Sequence, residues 1–75
     1  MAKNNAAQKK QQSALDRAIE KAGGIADLAK LLGTSRQLVS YWQAKARVPA
    51  ERVLDIERLT GIGRTELRPD IYPST

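Results

Sequence analysis

The sequence predicts an all-α fold, a compact domain of four to five short helices. Apolar residues recur at intervals of three and four in successive segments, which is the spacing of one buried helix face. Glycine or proline separates these segments, and no segment alternates apolar and polar residues as a half-buried strand does. With 75 residues the chain can bury only a modest core. We therefore expect one structured domain at 14–73 and a short tail at 74–75.

The segment that precedes this domain, residues 1–13, is predicted to be a disordered basic arm. It is rich in Asn, Gln, Ala and Lys, and its lysines are not balanced by any acidic residue. A segment with so few apolar side chains cannot bury enough surface to offset the entropy lost on ordering.

The first helix is predicted to begin after Ser13, a favourable N-cap, with Asp16 three positions later as in a capping box. Gly23 and Gly24 are expected to end it, because helices often terminate at a left-handed glycine. The apolar residues that keep helical spacing between these limits are Leu15, Ala18, Ile19 and Ala22.

A second helix is predicted over residues 25–32, where the apolar spacing of three and four returns. Gly33 follows at a point where a tight turn requires a positive φ. Ser35 is expected to cap a third helix that runs to about Lys45.

The third helix has two chemically different faces on a helical wheel. The apolar arc, which we expect to face the core, contains Leu38, Val39, Trp42 and Ala46. The opposite arc offers hydrogen-bonding groups and no acidic residue, and it contains Arg36, Gln37, Ser40, Tyr41 and Ala44.

Pro49 suits the first position of a fourth helix, which is expected to stop at Gly61. Its predicted buried residues are Val53, Leu54, Ile56 and Leu59. Thr65 is expected to cap one further turn that ends before Pro69. Three apolar residues near the end of the chain either close the core or form part of a two-fold interface, and these are Leu67, Ile71 and Tyr72.

The distribution of charge indicates a polyanionic partner. The chain carries 13 Lys and Arg against 8 Asp and Glu, a net charge of +5. Residues 28–50 contain four basic residues and no acidic residue, whereas the stretches 14–27 and 51–75 are slightly acidic. The basic excess therefore lies in the arm and in one central block, and such a block favours binding to a polyanion.

Several functions are excluded by what the sequence lacks. Cysteine and histidine are absent, so disulfides, Cys or His metal sites and imidazole catalysis are ruled out. The scattered carboxylates and serines make no recognisable catalytic group. We expect no enzyme activity, no cofactor, no metal and no small-molecule ligand. No apolar run is long enough for a membrane span, and we expect a cytoplasmic protein without a membrane partner.

Two short helices joined by a three-residue turn with a glycine are typical of a helix-turn-helix. This unit requires a small residue where the helices approach, a permissive residue in the turn and apolar residues that lock both helices. Gly33 meets the requirement of the turn. The predicted core of the motif consists of Leu28, Ala29, Leu32, Val39 and Trp42. Trp42 could alternatively serve as a stacking platform for bases.

The second helix of such a unit enters the major groove of DNA, where its N-terminal residues meet base edges. Arg36 suits bidentate bonding to guanine and Gln37 to adenine. Ser40 can hydrogen-bond with little selectivity, and Tyr41 can contact a thymine methyl or a phosphate or remain solvated. The predicted phosphate contacts are Lys30, Ser35, Lys45 and Arg47, each with a solvated surface position as the alternative.

At these residues a family resemblance becomes clear. The stretch Ile25–Ala44, IADLAKLLGTSRQLVSYWQA, resembles the helix-turn-helix of the Cro and repressor superfamily. The wider stretch Leu15–Pro73 resembles YdaS-type or Cro-like phage regulators, and the blocks VPAERVLDIERLTG and ELRPDIYP make this likeness more specific.

The resemblance implies a lambda-repressor-like helical domain that binds operator DNA, often as a homodimer. It also implies that bases are read at the positions of Arg36, Gln37, Ser40 and Tyr41. Relatives often place a glutamine near the start of the second helix for a phosphate contact, but this chain has Ile25 and Ala26 there.

Two functions follow as hypotheses. The first is a sequence-specific transcriptional regulator, a Cro-like repressor of a phage or prophage operator. The second is an antitoxin-type protein that neutralises a partner toxin and regulates its own operon, with the acidic C-terminal part as contact surface. The basic arm either is a passive tail or reaches along the DNA, as basic arms can.

Overall fold

A computed structural model of the chain describes residues 13–73, which form five α-helices and one 3-10 turn and contain no strand. The all-α prediction is thereby confirmed for this part of the chain. The elements are α1 Ala14–Ala22, α2 Ile25–Leu32, α3 Arg36–Lys45, the 3-10 turn Ala50–Arg52, α4 Val53–Thr60 and α5 Arg64–Leu67. The predicted basic arm, except for Ser13, and the tail at 74–75 lie outside the described residues. None of the helices between 13 and 73 has the length and apolar character needed to cross a membrane.

Helix α1 has the predicted limits. Ser13 Oγ accepts a hydrogen bond from Asp16 N at 3.0 Å, and Gly23 ends the helix with a φ of +106°. The Asp16 carboxylate, expected to close a capping box, accepts a hydrogen bond from Gln43 Nε2 at 2.9 Å. This carboxylate therefore links α1 to α3, and the helix packs against α2, α4 and α5.

The connection between α2 and α3 is a tight turn at Gly33, which has a φ of +71°. Two backbone N–H groups of the turn pair with carbonyl groups at the end of α2. Gly33 N donates to Lys30 O at 3.1 Å, and Thr34 N donates to Ala29 O at 2.9 Å. Ser35 Oγ accepts from Leu38 N at 3.1 Å and so starts α3, as predicted.

One apolar core lies between the helices and contains twelve buried side chains. They are Leu15, Ala18, Ile19, Leu28, Ala29, Val39, Trp42, Val48, Val53, Ile56, Ile62 and Leu67. Leu32, expected in the core of the motif, is partly buried and packs against this cluster. The small side chain of Ala29, which is 2% exposed, lies in the core where α2 packs against α3.

Three apolar residues expected to be buried are exposed, so these predictions were wrong. Leu38 and Leu54 are 40% and 47% exposed. At about 100° per residue, each lies one step around the helix from its buried neighbour, beyond the arc that the core covers. Ala46 lies one residue past the end of α3, with a left-handed φ of +55°, so the helical wheel no longer describes it.

The second half of the domain begins and caps its helices differently from the prediction. Pro49 precedes the 3-10 turn, in which Arg52 N donates to Pro49 O at 2.9 Å, and α4 begins only at Val53. Helix α5 starts after Gly63, so Thr65 lies inside the helix and does not cap it. The role expected of Thr65 is taken by the Glu57 carboxylate.

Glu57 binds the start of α5 from the preceding helix. It accepts from Arg64 N at 3.2 Å and from Arg64 Nε at 2.9 Å. Helix α4 ends at Gly61, with φ at +80°, as expected. An ion pair between Arg17 and Glu66 joins α1 to α5. Residues distant in sequence therefore define the position of this last, one-turn helix.

The C-terminal segment is held by one arginine side chain. Arg68 Nη1 donates to Val48 O at 2.7 Å, while its Nε and Nη2 donate to the two carboxylate oxygens of Asp70 at 2.9 and 2.7 Å. We call these three bonds the Arg68 clamp. Hydrogen bonding from Arg68 lowers the pKa of the Asp70 carboxyl from 3.8 to about 2.

Two left-handed residues allow a paired test of the backbone. We expect Gly33→Ala to lower the free energy of unfolding by about 1 kcal/mol, because a Cβ disfavours the left-handed conformation. Ala46→Gly should raise it by about 0.5 kcal/mol, because the same disfavoured conformation is relieved. Urea unfolding measures both values. If both variants change the free energy of unfolding in the same direction, the left-handed conformation is not the cause of the effect.

The Arg68 clamp predicts a pH-dependent stability. Asp70 has a lowered pKa in the folded chain, so its ionised form contributes stability above about pH 4 that is lost as the pH falls towards 2. Asp70→Asn should therefore unfold at lower urea concentration than the wild type at pH 6. The midpoint urea concentrations of the two proteins should become equal near pH 2. Asp55→Asn, which removes an exposed pair with Arg58, is the control. A difference in midpoint urea concentration between wild type and Asp70→Asn that stays constant from pH 6 to pH 2 would contradict the prediction.

Candidate nucleic-acid interface

Helix α3 separates its anchoring residues from its hydrogen-bonding residues. Val39 is fully buried and Trp42 is 4% exposed, so the tryptophan ring belongs to the core and is not available for stacking on bases. The four residues predicted to read bases all lie on the exposed surface of the helix, and they are Arg36, Gln37, Ser40 and Tyr41. Burial of one side therefore presents the other side to solvent.

The surface beside the start of α3 is concave. Ile25 and Ala26, at the beginning of α2, and Arg36, Gln37 and Ser40 of α3 line one shallow depression. We call it the α2–α3 depression. Its two apolar residues come from α2 and its three polar residues from α3, so the tight turn brings them together.

The polar side of this surface has donors that suit base edges. The guanidinium of Arg36 presents paired N–H groups, and the amide of Gln37 presents a donor and an acceptor. Both lie in the first turn of α3, which contains no acidic residue. Such groups can form two parallel hydrogen bonds with guanine and adenine, respectively.

The predicted phosphate contacts are distributed around this surface. Lys30 is exposed on α2, and Lys45 is exposed at the end of α3 with its Nζ 5.6 Å from the centre of the Tyr41 ring. Ser35 is exposed, but its hydroxyl oxygen already accepts from Leu38 N. Arg47 Nη2 lies 3.5 Å from Asp70 Oδ2, so this cation has a carboxylate neighbour.

One basic residue near this surface was missed by the sequence reasoning. Arg68 lines the same surface depressions as Lys45 and Arg47, at the C-terminal end of α3. It reaches this place through its bond to Val48 O, twenty residues earlier in the chain. No local pattern predicts such a long-range bond.

The apolar residues near the end of the chain occupy different environments. Leu67 is 7% exposed and belongs to the core, so little of its surface is available to a partner. Tyr72 is partly buried, and the Arg64 guanidinium lies 5.7 Å from the centre of its ring. Ile71 is 42% exposed and is the member of the three that a second subunit could contact most fully.

The described part of the chain has no arrangement suited to metal chemistry. Between residues 13 and 73, no group of three or more acidic side chains is placed to hold an ion.

Comparison with known proteins shows similarity to a described family and to a prophage Cro protein. The model of the family described as bacterial toxin YdaS matches residues 15–75. Among solved structures, the Cro protein from the putative prophage element Xfaso 1 in Xylella fastidiosa strain Ann-1 is similar, with 45% identity and a TM-score of 0.81. That match covers 84% of this chain and 100% of the Cro chain. No curated protein matches the chain significantly.

Proposed function

Since the chain belongs to the bacterial toxin YdaS family, we propose that it is a sequence-specific regulator that binds an operator in double-stranded DNA. At a general level it is a DNA-binding regulator and not an enzyme, in keeping with its similarity to a prophage Cro protein. The finer proposal is that it represses a phage or prophage operator, with α3 in the major groove.

The observation that carries this proposal is the exposed surface of α3. Val39 and Trp42 anchor the helix, while Arg36 and Gln37 are exposed in its first turn. In a helix-turn-helix the N-terminal residues of the second helix meet the base edges. Arg36 is proposed to bind guanine and Gln37 adenine, whereas Ser40 and Tyr41 extend the contact one turn further along the helix.

Positive charge around α3 is proposed to hold the DNA backbone. Lys30 is exposed on α2, Lys45 is exposed at the end of α3, and Arg47 follows the end of α3. Contacts of this kind fix the position of a protein on DNA and release counterions, so the affinity falls with salt. Ser35 is proposed to contact a phosphate while its hydroxyl continues to cap the helix.

A homodimer on DNA is proposed because one domain of this size reads only a short half-site. Two domains related by a two-fold axis bind half-sites about 34–36 Å apart, which corresponds to one helical turn of DNA. The exposed side chain of Ile71 is available to such a contact.

The family description names a toxin and not an antitoxin, so the antitoxin-type function expected from the sequence stays a second proposal. In this alternative the chain acts as an antitoxin-type protein on a partner toxin and also regulates its own operon. The C-terminal part, with five acidic and four basic residues in 51–75, is the proposed contact surface. The Arg36→Ala variant separates the two functions, because it should lose operator binding but keep any binding to the partner.

The base contacts can be tested after an operator is selected from random DNA. We expect Arg36→Ala and Gln37→Ala each to weaken binding to the selected site about 10-fold or more, with a smaller loss on random DNA. Arg58→Ala removes the same charge from the exposed surface of α4 and should change operator affinity less than about twofold. If both α3 variants discriminate between operator and random DNA as well as the wild type does, Arg36 and Gln37 do not contact bases.

The phosphate contacts can be tested through salt dependence. We expect Lys30→Gln and Lys45→Gln each to reduce the slope of log affinity against log salt concentration by about 0.9, while the preferred bases stay the same. Lys21→Gln, an equivalent change on α1, is the control and should leave the slope unaltered. Fluorescence anisotropy titrations at several salt concentrations measure this slope, and equal slopes for all four proteins would refute the assignment.

A further inference from the structure

The α2–α3 depression has an apolar part that hydrogen bonding does not explain. Ile25 is partly buried and packs against the core, so its exposed part is held in place, and Ala26 beside it is exposed. Neither side chain can donate or accept a hydrogen bond. They nevertheless share one concave surface with Arg36, Gln37 and Ser40, the groups suited to base edges.

The location of the depression restricts what can occupy it. If α3 lies in the major groove, as proposed above, the depression opens towards the edges of the base pairs that Arg36 and Gln37 contact. Nearly every group that bases present there is a hydrogen-bond donor or acceptor. The apolar exception is the C5 methyl group of thymine. A small apolar surface beside the reading residues therefore matches this group.

A phosphate is the other candidate, because the first turn of a helix presents free N–H groups. Gly24 caps α2 without a side-chain hydrogen bond, so these groups are present. However, Asp27 lies in the same turn, and its carboxylate is close to Gly23 at the helix start. The negative charge already at this end opposes a phosphate, and Ile25 and Ala26 supply no donor from their side chains.

We propose that the α2–α3 depression receives the C5 methyl group of a thymine, and that Ile25 and Ala26 thereby determine part of the base preference. This inference rests on the proposed function, because it requires α3 in the major groove. It assigns part of the base preference to α2, the first helix of the helix-turn-helix. The recognition surface thus includes two residues that cannot hydrogen-bond through their side chains.

The test removes only the methyl group from the DNA and leaves the protein unchanged. After an operator is selected from random DNA, each thymine is replaced in turn by uracil, which has the same hydrogen-bonding groups. We expect one thymine in each half-site, next to the bases that respond to Arg36→Ala or Gln37→Ala, to be sensitive. Replacing it should weaken binding about fourfold, the value for burying one methyl-sized group.

Protein variants then locate the methyl group. Ala26→Leu fills the depression at an exposed position, so thymine and uracil sites should be bound within about twofold of each other. Leu31→Ala changes an exposed apolar residue at the far end of α2 and should keep the fourfold preference. As a further arm, the sensitive pair is replaced by cytosine and guanine. Methylation of that cytosine at C5 should strengthen binding to the wild type but not to Ala26→Leu.

Four results would overturn the inference, and they can be told apart. A selected operator in which every uracil substitution changes affinity less than twofold shows that no methyl group is bound, while operator binding itself stands. A uracil effect that is equal in wild type and Ala26→Leu places the methyl group elsewhere. Sensitivity to a neutral methylphosphonate without sensitivity to uracil shows that α2 holds a phosphate. If selection from random DNA yields no consensus sequence, the proposed function is wrong, and this inference is wrong with it.

Discussion

The tight turn between α2 and α3 is the constraint on which the rest of the structure depends. Only residues 33–35 separate the two helices, and Gly33 turns the chain in the left-handed conformation. Because the connection is short, it leaves little freedom in the direction of α3 once Ala29, Val39 and Trp42 are buried. The exposure of the opposite side of α3 is a consequence of this packing. The depression between the two helices has the same origin, since the turn brings the start of α2 beside α3.

Long-range side-chain bonds hold this unit on the remainder of the domain. Arg52 Nη1 donates to Leu32 O at 3.2 Å, so a side chain of the 3-10 turn pairs with the last carbonyl group of α2. Gln43 reaches the Asp16 carboxylate on α1, and Arg68 reaches Val48 O. Each bond joins residues at least twenty positions apart, and they reach the end of α2, the last turn of α3 and the segment after α3. A small core gains rigidity from such bonds, because burial alone stabilises a domain of this size modestly.

Of the four basic residues of 28–50, Arg36 lines the α2–α3 depression, whereas Lys30, Lys45 and Arg47 are exposed elsewhere on the surface. Within 13–73, the only carboxylate in an ion pair with one of these four residues is that of Asp70, 3.5 Å from Arg47. Positive charge of this kind attracts DNA of any sequence, whereas discrimination among bases comes from directional bonds and close apolar contact. Under the proposed function, DNA affinity and base preference therefore depend largely on different side chains of α2 and α3.

The sequence by itself determined the helices that have local signals. Ser13 and Ser35 cap helices through their own hydroxyl groups, and Gly23, Gly33 and Gly61 end them, because capping involves residues only a few positions apart. The exposed and buried sides of α3 followed from helical periodicity for the same reason, except at its margins. Local patterns were therefore sufficient to name the residues that line the candidate site on α3.

Only the tertiary structure decided the features that depend on distant residues. It showed that Glu57 binds the start of α5, that Leu38 and Leu54 lie outside the arc covered by the core, and that Arg68 reaches Val48. It also placed Ile25 and Ala26 of α2 beside Arg36, Gln37 and Ser40 of α3. Periodicity describes one helix at a time, whereas the width of a buried face and the partners of a charged side chain depend on how the helices pack.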